Sequence, residues 1–146
     1  MTCSIFIVTF NRDLPYIPYL LRSISKFVTG VDEIIILLPA KDKRMIDGFG
    51  LTKERVEFFE EPLADGHIAQ QWAKCHADQW CLSSDYLIYV DSDCLFTAPT
   101  DVRTQYFKDG KPILIGTKYK ELNGASPWQP CTEKCLGESA PYETMR

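Results

Sequence analysis

An apolar run leads directly into two carboxylates in the sequence Tyr86-Leu87-Ile88-Tyr89-Val90-Asp91-Ser92-Asp93. Its branched and aromatic side chains predict a buried β-strand. If the chain stays extended beyond this strand, Asp91 and Asp93 point to the same side of it. Two carboxylates at that spacing repel each other unless a cation lies between them, and a hard divalent ion, Mg²⁺ or Mn²⁺, suits oxygen ligands. The alternative interpretation is a solvated turn in which an aspartate caps a helix.

Further apolar runs alternate with segments of helical periodicity. The other predicted strands are residues 4–10, 33–38, 55–59 and 112–116. The predicted helices are residues 14–28 and 68–80, with a short helix over 41–50, a short helix or loop over 99–109 and a turn over 64–66. Asp13 is the expected N-cap of the first helix, and Gly30 is expected to end it. Such alternation predicts an α/β fold, with a mostly parallel sheet and helices on both faces.

The periodic pattern becomes weak after Thr117, where glycine and proline residues interrupt the chain. We expect one α/β domain over residues 1–146, in which residues 117–146 form an irregular segment. That segment is either a loop region that faces a ligand or the start of an element that the chain does not complete.

Composition excludes several classes of protein. The chain has 146 residues, 45% of them hydrophobic and 25% charged, and a net charge of -4. Because no dense run of Lys and Arg is present, we expect no nucleic-acid partner. No apolar run approaches the roughly 20 residues that a membrane span needs, so we expect no membrane partner. The first residues lack the pattern of a secretory signal, which leads us to expect a cytoplasmic protein.

Six cysteines are present, and only Cys131 and Cys135 lie close together in sequence. A zinc site of four thiolates usually shows two such close pairs. We therefore expect free, mostly buried thiols and no tightly held zinc.

Three segments together resemble the GT-A-fold glycosyltransferases over residues 3–117. They are Thr9-Phe10-Asn11-Arg12-Asp13 after the first strand, the helix with Gln70-Gln71-Trp72-Ala73-Lys74, and Asp91-Ser92-Asp93 after a later strand. The resemblance implies a GT-A-like fold, a nucleotide-sugar donor and a divalent ion, Mn²⁺ or Mg²⁺. It implies that Asp91 and Asp93 are the catalytic and metal-binding residues. Asp93 would be the principal ligand, and Asp91 would contact the ribose or reach the metal through water.

The same resemblance places the donor against the end of the first strand. The donor-binding residues it implies there are Thr9, Asn11, Arg12 and Asp13, and Ser92 joins them from between the two carboxylates. Arg12 could donate hydrogen bonds to a phosphate or to a base carbonyl. Alternatively, Asn11 and Asp13 only cap the first helix.

Polar side chains recur on one face of the helix that precedes the carboxylates. His67, Gln70, Gln71 and Lys74 have the spacing i, i+3, i+4 and i+7. They are predicted to contact the donor near the helix N-terminus, which favours anions. The alternative is an ordinary solvated face. His76 lies among apolar neighbours and is expected to pack in the core, as are Trp72, Trp80 and Trp128.

Other nucleotide-binding and hydrolytic classes lack their motifs here. The sequence has no Gly-x-Gly-x-x-Gly, no Gly-x-x-x-x-Gly-Lys-Ser/Thr and no Gly-x-Ser-x-Gly. The prediction is a metal-dependent glycosyltransferase with an unknown acceptor. The alternative is a non-catalytic α/β binding domain that has lost transfer.

The sequence also predicts an incomplete catalyst, because the resemblance covers only the donor-binding half. Either a second copy of the chain or a different partner chain would have to complete the site. Alternatively, Glu133 or Glu138 folds over Asp91 and Asp93 and serves as the base.

Overall fold

A computed structural model describes residues 1–51, 53–62, 65–113, 116–121, 129–140 and 142–144. The chain divides into two compact units, Met1–Tyr106 and Phe107–Arg146. Three predicted features lie partly or wholly outside the described residues: the turn over 64–66, the strand over 112–116, and the packing of Trp128.

The described residues of the first unit form six strands and three α-helices. The strands are β1 (Cys3–Val8), β2 (Val28–Thr29), β3 (Glu33–Pro39), β4 (Arg55–Phe59), β5 (Tyr86–Tyr89) and β6 (Thr100–Asp101). The helices are α1 (Ile17–Phe27), α2 (Gly66–Cys75) and α3 (Val102–Gln105). Short 3-10 helices occupy Asn11–Tyr16, Ala40–Met45, Asp47–Phe49 and Ala77–Gln79.

Four of these strands form a parallel sheet in the order β4-β3-β1-β5, which confirms the α/β fold class. The chain moves outward from β1 to β3 and β4, and then returns to β5 on the other side of β1. The strand order therefore reverses between β1 and β5. In open α/β sheets, such a switch point leaves a crevice at the carboxyl ends of the strands, where ligands bind.

Alternate residues of the strands form two separate cores, because successive side chains point to opposite faces. Ile5, Ile7, Ile36 and Leu38 pack with buried residues of α1 on one face. Phe6, Val8, Ile35 and Leu37 pack with Ala69 and Ala73 of α2 on the other. The two helices thus cover opposite faces, as the sequence predicts. The buried apolar area, at roughly 25 cal/mol per Å², is the main stabilising term for this layering.

Trp72 and Trp80 pack in the aromatic part of the second core, which confirms their predicted role. Phe59 stacks on Trp72 with ring centroids 6.3 Å apart, and Phe6 stacks on Trp80 at 6.2 Å. His76 is half-buried and stacks on Trp72 at 4.3 Å. These indoles are therefore part of the packing and not of an exposed binding surface.

The first helix begins later than the sequence predicts, and Asp13 is not its N-cap. Residues Asn11–Tyr16 form a 3-10 helix, in which the backbone N–H groups of Asp13 and Leu14 both donate to the Phe10 carbonyl. Helix α1 then starts at Ile17, with Pro18 in its first turn. Proline lacks the N–H that a helix interior needs, so Pro15 and Pro18 favour a start in this region.

Helix α2 ends at Cys75, earlier than the predicted end at Trp80. The His76 backbone N–H donates to the Trp72 and Ala73 carbonyls, and His76 Nδ1 lies 2.8 Å from the Trp72 carbonyl oxygen. Because this ring supplies a second partner to a terminal carbonyl, it stabilises the helix end.

The second unit has more regular structure than its sequence suggests. Strands β7 (Phe107–Lys108) and β8 (Lys111–Pro112) form a hairpin, and β9 (Gly116–Lys118) pairs antiparallel with β10 (Tyr142–Thr144). Asp109 and Gly110 have φ of 52° and 74°, as a two-residue hairpin turn requires. Between β9 and β10 lie a 3-10 helix (Tyr119–Glu121) and helix α4 (Gln129–Leu136). The segment predicted to be irregular therefore contains strands and a helix.

The cysteine thiols are more exposed than the sequence predicts. The cysteines are free, but Cys75, Cys94, Cys131 and Cys135 are exposed, so the expectation of mostly buried thiols is wrong. Burial raises the pKa of Cys3 and raises that of Cys81 to about 11.

Among the described residues, no helix has both the length and the apolar character needed to cross a membrane.

Candidate functional site

Asp91 and Asp93 follow β5 in a turn and not in a continued strand. Strand β5 ends at Tyr89, and the Cys94 backbone N–H donates to the Asp91 carbonyl at 3.0 Å. That bond closes a β-turn over residues 91–94. The carboxylates therefore occupy the first and third positions of a turn. The chain is not extended here, so the reason given from the sequence for both carboxylates pointing to the same side does not apply. The turn itself matches the alternative interpretation from the sequence.

Helix α2 brings Lys74 to this turn. Lys74 Nζ lies 2.7 Å from Asp91 Oδ1, and the Lys74 side chain is 20% exposed against 52% for Asp91. The Tyr89 hydroxyl donates to the Lys74 backbone carbonyl at 3.1 Å, which ties the end of α2 to β5. Two residues that the sequence assigns to separate motifs thus form one charged pair at the carboxyl edge of the sheet.

Asp93 and Ser92 differ sharply in their surroundings. Asp93 is exposed, and no hydrogen bond or ion pair to its side chain occurs within the described parts of the chain, whereas Ser92 is buried. Burial raises the pKa of the neighbouring Cys94, and the carboxylates of Asp93 and Asp91 raise it further. The turn therefore carries concentrated negative charge, of which only the Asp91 part has a cationic partner.

The end of β1 lies beside this turn, since β1 and β5 are adjacent. Thr9 is fully buried, and its hydroxyl finds no hydrogen-bond partner in the described structure. Asn11 is exposed, and its backbone N–H donates to Asp42 Oδ2 at 3.2 Å. Asp42 is itself buried after β3, so this bond joins the ends of two neighbouring strands. Of these residues, Asn11 presents a side chain to solvent, and Thr9 does not.

A cleft of about 440 Å³ opens between the end of β1 and the start of α2. Its lining residues are Phe10, Arg12, Asp13, Lys41, Glu61, Gly66, His67 and Gln70. The cleft therefore unites Arg12 and Asp13 with His67 and Gln70, which the sequence places on two separate elements. Gln71 is exposed on the same helix, but it is not part of the lining.

Two ion pairs line this cleft, and in both the cation is the more exposed partner. Arg12 Nε lies 3.2 Å from Asp13 Oδ1, with the side chains 90% and 26% exposed. Lys41 pairs with Glu61, and their side chains are 65% and 16% exposed. The hydrogen bond to Glu61 is the main reason that the pKa of Lys41 is raised. An approaching ligand thus meets the guanidinium and the ammonium before the carboxylates, which suits an anion.

Helix α2 begins at the same cleft. Asp65 is its N-cap, and the Asp65 carboxylate accepts hydrogen bonds from the backbone N–H groups of His67 and Ile68 at 2.9 and 3.2 Å. These bonds occupy two of the free donors of the first turn. The side chains of His67 and Gln70, and not the helix end alone, therefore provide the contacts for a ligand.

Sequence reasoning missed Lys41, Glu61 and Phe10. Lys41 follows the end of β3 and Glu61 follows the end of β4. The carboxyl ends of parallel strands meet at one edge of a sheet, so charged residues directly after each strand were the available signal. Applying that rule to every strand would have found both residues.

The donor set at the turn fits a divalent ion of the Mg²⁺ type. Such an ion needs only one or two carboxylates, because it keeps several waters and shares phosphate oxygens of its ligand. Asp93 and Asp91 are the residues at this turn that would hold such an ion. Within the described ranges, no group of three or more His, Cys, Asp or Glu side chains could hold a metal ion.

The candidate base Glu133 has a structural role inside the second unit. Its Oε1 accepts from Gln129 Nε2 at 3.1 Å, from the Ala140 backbone N–H at 3.2 Å and from Ser139 Oγ at 3.4 Å. This carboxylate ties α4 to the residues that follow it. Glu138 is exposed.

The residues at the carboxyl ends of the strands are the basis for proposing a function. No protein-family model matches the chain, and a search of curated proteins gives no match.

Proposed function

We propose that the chain binds a nucleotide-sugar donor at the carboxyl edge of its sheet, together with a divalent ion, in the manner of a GT-A-fold glycosyltransferase. The observation that carries the proposal is the Lys74–Asp91 pair, with Nζ and Oδ1 2.7 Å apart, beside the point where the strand order reverses. A switch point gives the place for a ligand, and the charged groups there give its chemistry.

The exposed groups divide into two sets with different tasks. Arg12, His67 and Gln70 line the cleft and donate hydrogen bonds to the anionic or polar parts of the donor. Asp93 and Asp91, at the neighbouring turn, bind the divalent ion. Helix α2 links the two sets, because Gln70 and Lys74 are one turn apart on it.

The reaction we propose is transfer of the sugar from its diphosphate to an acceptor. When bound, the ion offsets the negative charge that develops on the leaving diphosphate. Lys74 lies at the same turn, and its ammonium is close enough to contribute to that charge balance.

The second candidate is a non-catalytic α/β domain that binds a nucleotide without transfer. It is favoured by the same ion pair, since Lys74 already neutralises Asp91 without a metal. It is also favoured by the contacts of Glu133, which use one candidate base for packing within its own unit.

A turnover assay distinguishes the two candidates. Purified protein is incubated with a panel of nucleotide sugars and Mn²⁺, and the released nucleoside diphosphate is measured. A transferase, even without its acceptor, releases nucleotide slowly, and Asp93→Asn abolishes the release. Asp78→Asn makes the same charge change at an exposed site after α2 and serves as the control. Metal-dependent binding without any release selects the non-catalytic domain.

A further inference from the structure

Helix α2 and strand β5 together place Lys74 beside Asp91. Lys74 lies in the last turn of α2, and the Tyr89 hydroxyl donates to its backbone carbonyl at 3.1 Å. Its side chain is largely covered, and Nζ reaches Asp91 Oδ1 at 2.7 Å. The backbone of Lys74 is therefore anchored beside Asp91, and its side chain is less exposed than that of an ordinary surface lysine.

We propose that Lys74 competes with the divalent ion for Asp91, so that tight metal binding requires a diphosphate ligand. This inference rests on the proposed function of the same turn. The ammonium and the ion would both neutralise one carboxylate, and two cations on one carboxylate repel each other. Without a ligand that supplies more negative charge, the ammonium at Asp91 weakens metal binding.

A diphosphate removes this competition. Its oxygens give the ammonium another anionic partner, and the flexible stem of lysine with its rotating donors can reorient toward it. Asp91 is then released to the ion, which also takes oxygens of the diphosphate. Asp93 stays available throughout, because its side chain has no ionic partner in the described part of the chain. Metal and nucleotide therefore bind cooperatively, and each raises the affinity of the other by the same factor.

The first test measures Mn²⁺ binding without nucleotide, by the loss of the free-ion signal in electron paramagnetic resonance. Lys74→Met removes the charge and keeps the length of the stem. We expect this variant to bind Mn²⁺ about tenfold more tightly than the wild type, a size typical of coupling between sites. Lys53→Met makes the same charge change at an exposed residue before β4 and should leave the affinity unchanged.

The second test repeats the titration with saturating UDP, GDP, ADP or CDP. In the wild type, the effective diphosphate raises the affinity for Mn²⁺ by about tenfold or more. In Lys74→Met that factor becomes smaller, because no ammonium has to leave Asp91, although the ion still takes oxygens of the diphosphate. Lys74→Gln is a second neutral variant that keeps polarity, and Lys74→Arg keeps the charge and should keep the cooperativity. Circular dichroism of each variant checks that it folds.

The outcomes separate this inference from the proposed function. If both neutral variants bind Mn²⁺ alone no more tightly than the wild type, Lys74 does not compete, and the inference is overturned. The proposed function survives that result if the wild type still binds Mn²⁺ with a diphosphate and Asp93→Asn does not. If neither the wild type nor any variant binds Mn²⁺ with any diphosphate, both are overturned.

Discussion

Charged groups lie at both the amino ends and the carboxyl ends of the strands in the four-stranded sheet, here called its amino and carboxyl edges, but they have different contacts. At the amino edge, Asp32 accepts from the Cys3 backbone N–H at 2.8 Å and from Arg103 Nη2 at 2.8 Å. Arg55 donates to Glu33 at 2.8 Å, to Glu57 at 3.1 Å and to the Trp80 carbonyl. These groups join strands and helices of the fold to one another.

At the carboxyl edge, the charged groups leave capacity for a ligand. Arg12 is almost fully exposed, the Asp93 carboxylate has no ionic partner in the described ranges, and an open cleft lies beside them. We infer from this difference that the amino edge stabilises the fold, and we propose that the carboxyl edge carries the function.

The largest expected difference concerns access to the thiols. Burial raises the pKa of Cys81 to about 11, whereas Cys75 is exposed. Because the thiolate is the nucleophile, we expect Cys81 to react with iodoacetamide at pH 8 at least about tenfold more slowly than Cys75. Peptide mass spectrometry over time measures both rates. Equal rates would show that the region around Cys81 is open.

The next effect is on the free energy of unfolding. Arg55→Ala removes the hydrogen bonds to two glutamates and to the Trp80 carbonyl, and we expect a loss of about 1–3 kcal/mol in urea unfolding. Arg12→Ala, the same substitution at the carboxyl edge, should change stability by less than about 0.5 kcal/mol. Similar losses in the two variants would contradict the division of tasks between the edges.

A pH effect is expected at the same amino edge. The Cys3 backbone N–H, followed by Arg103, holds the pKa of Asp32 below its usual value of 3.8. The folded state therefore favours the charged carboxylate. The stability that this gives is present above pH 3.8 and is lost as the pH falls through the lower folded value.

Asp32→Asn tests this linkage by thermal unfolding between pH 7 and pH 2. The variant should be less stable than the wild type at pH 7, and the gap between them should narrow below pH 3.8. Asp47→Asn removes one exposed carboxylate and is the control. A constant gap across this range would show that Asp32 does not contribute through its charge.

The smallest expected effect on stability belongs to the proposed metal ligand. Asp93 is exposed and follows the end of β5, so Asp93→Asn should change the free energy of unfolding by less than about 0.5 kcal/mol. Urea unfolding without metal measures it. A larger loss would mean that Asp93 supports the turn and that its ligand-binding role cannot be separated from the fold.

The sheet could be predicted from the sequence because β1, β3 and β5 are mostly apolar runs and β4 alternates between charged and apolar residues. The predicted strands over 55–59 and 86–90 match β4 and β5 to within one residue. The local caps could not be predicted in this way. Asp13 has the residue type of an N-cap, but a 3-10 helix around Pro15 displaces the start of α1. Such competition between neighbouring turns depends on geometry that residue types alone do not fix.

Residues of the candidate site could be predicted from the sequence only where they form a motif within one short segment. Asp91 and Asp93 stand out as a short motif, whereas Lys41 and Glu61 are single charges that matter because the sheet brings strand ends together. The pairing of Lys74 with Asp91 likewise depends on how α2 lies on the sheet. Contacts between distant segments are set by packing, which periodicity does not specify.

Titration calorimetry of Mn²⁺ with a nucleoside diphosphate tests the central claim most directly. We expect the wild type to bind the diphosphate in the presence of Mn²⁺ and not in the presence of EDTA, and we expect Asp93→Asn to lose the metal-dependent binding. Asp78→Asn should bind as the wild type does. Binding in Asp93→Asn equal to that of the wild type, or no binding by the wild type to any of UDP, GDP, ADP and CDP, would contradict a metal and nucleotide site at the carboxyl edge.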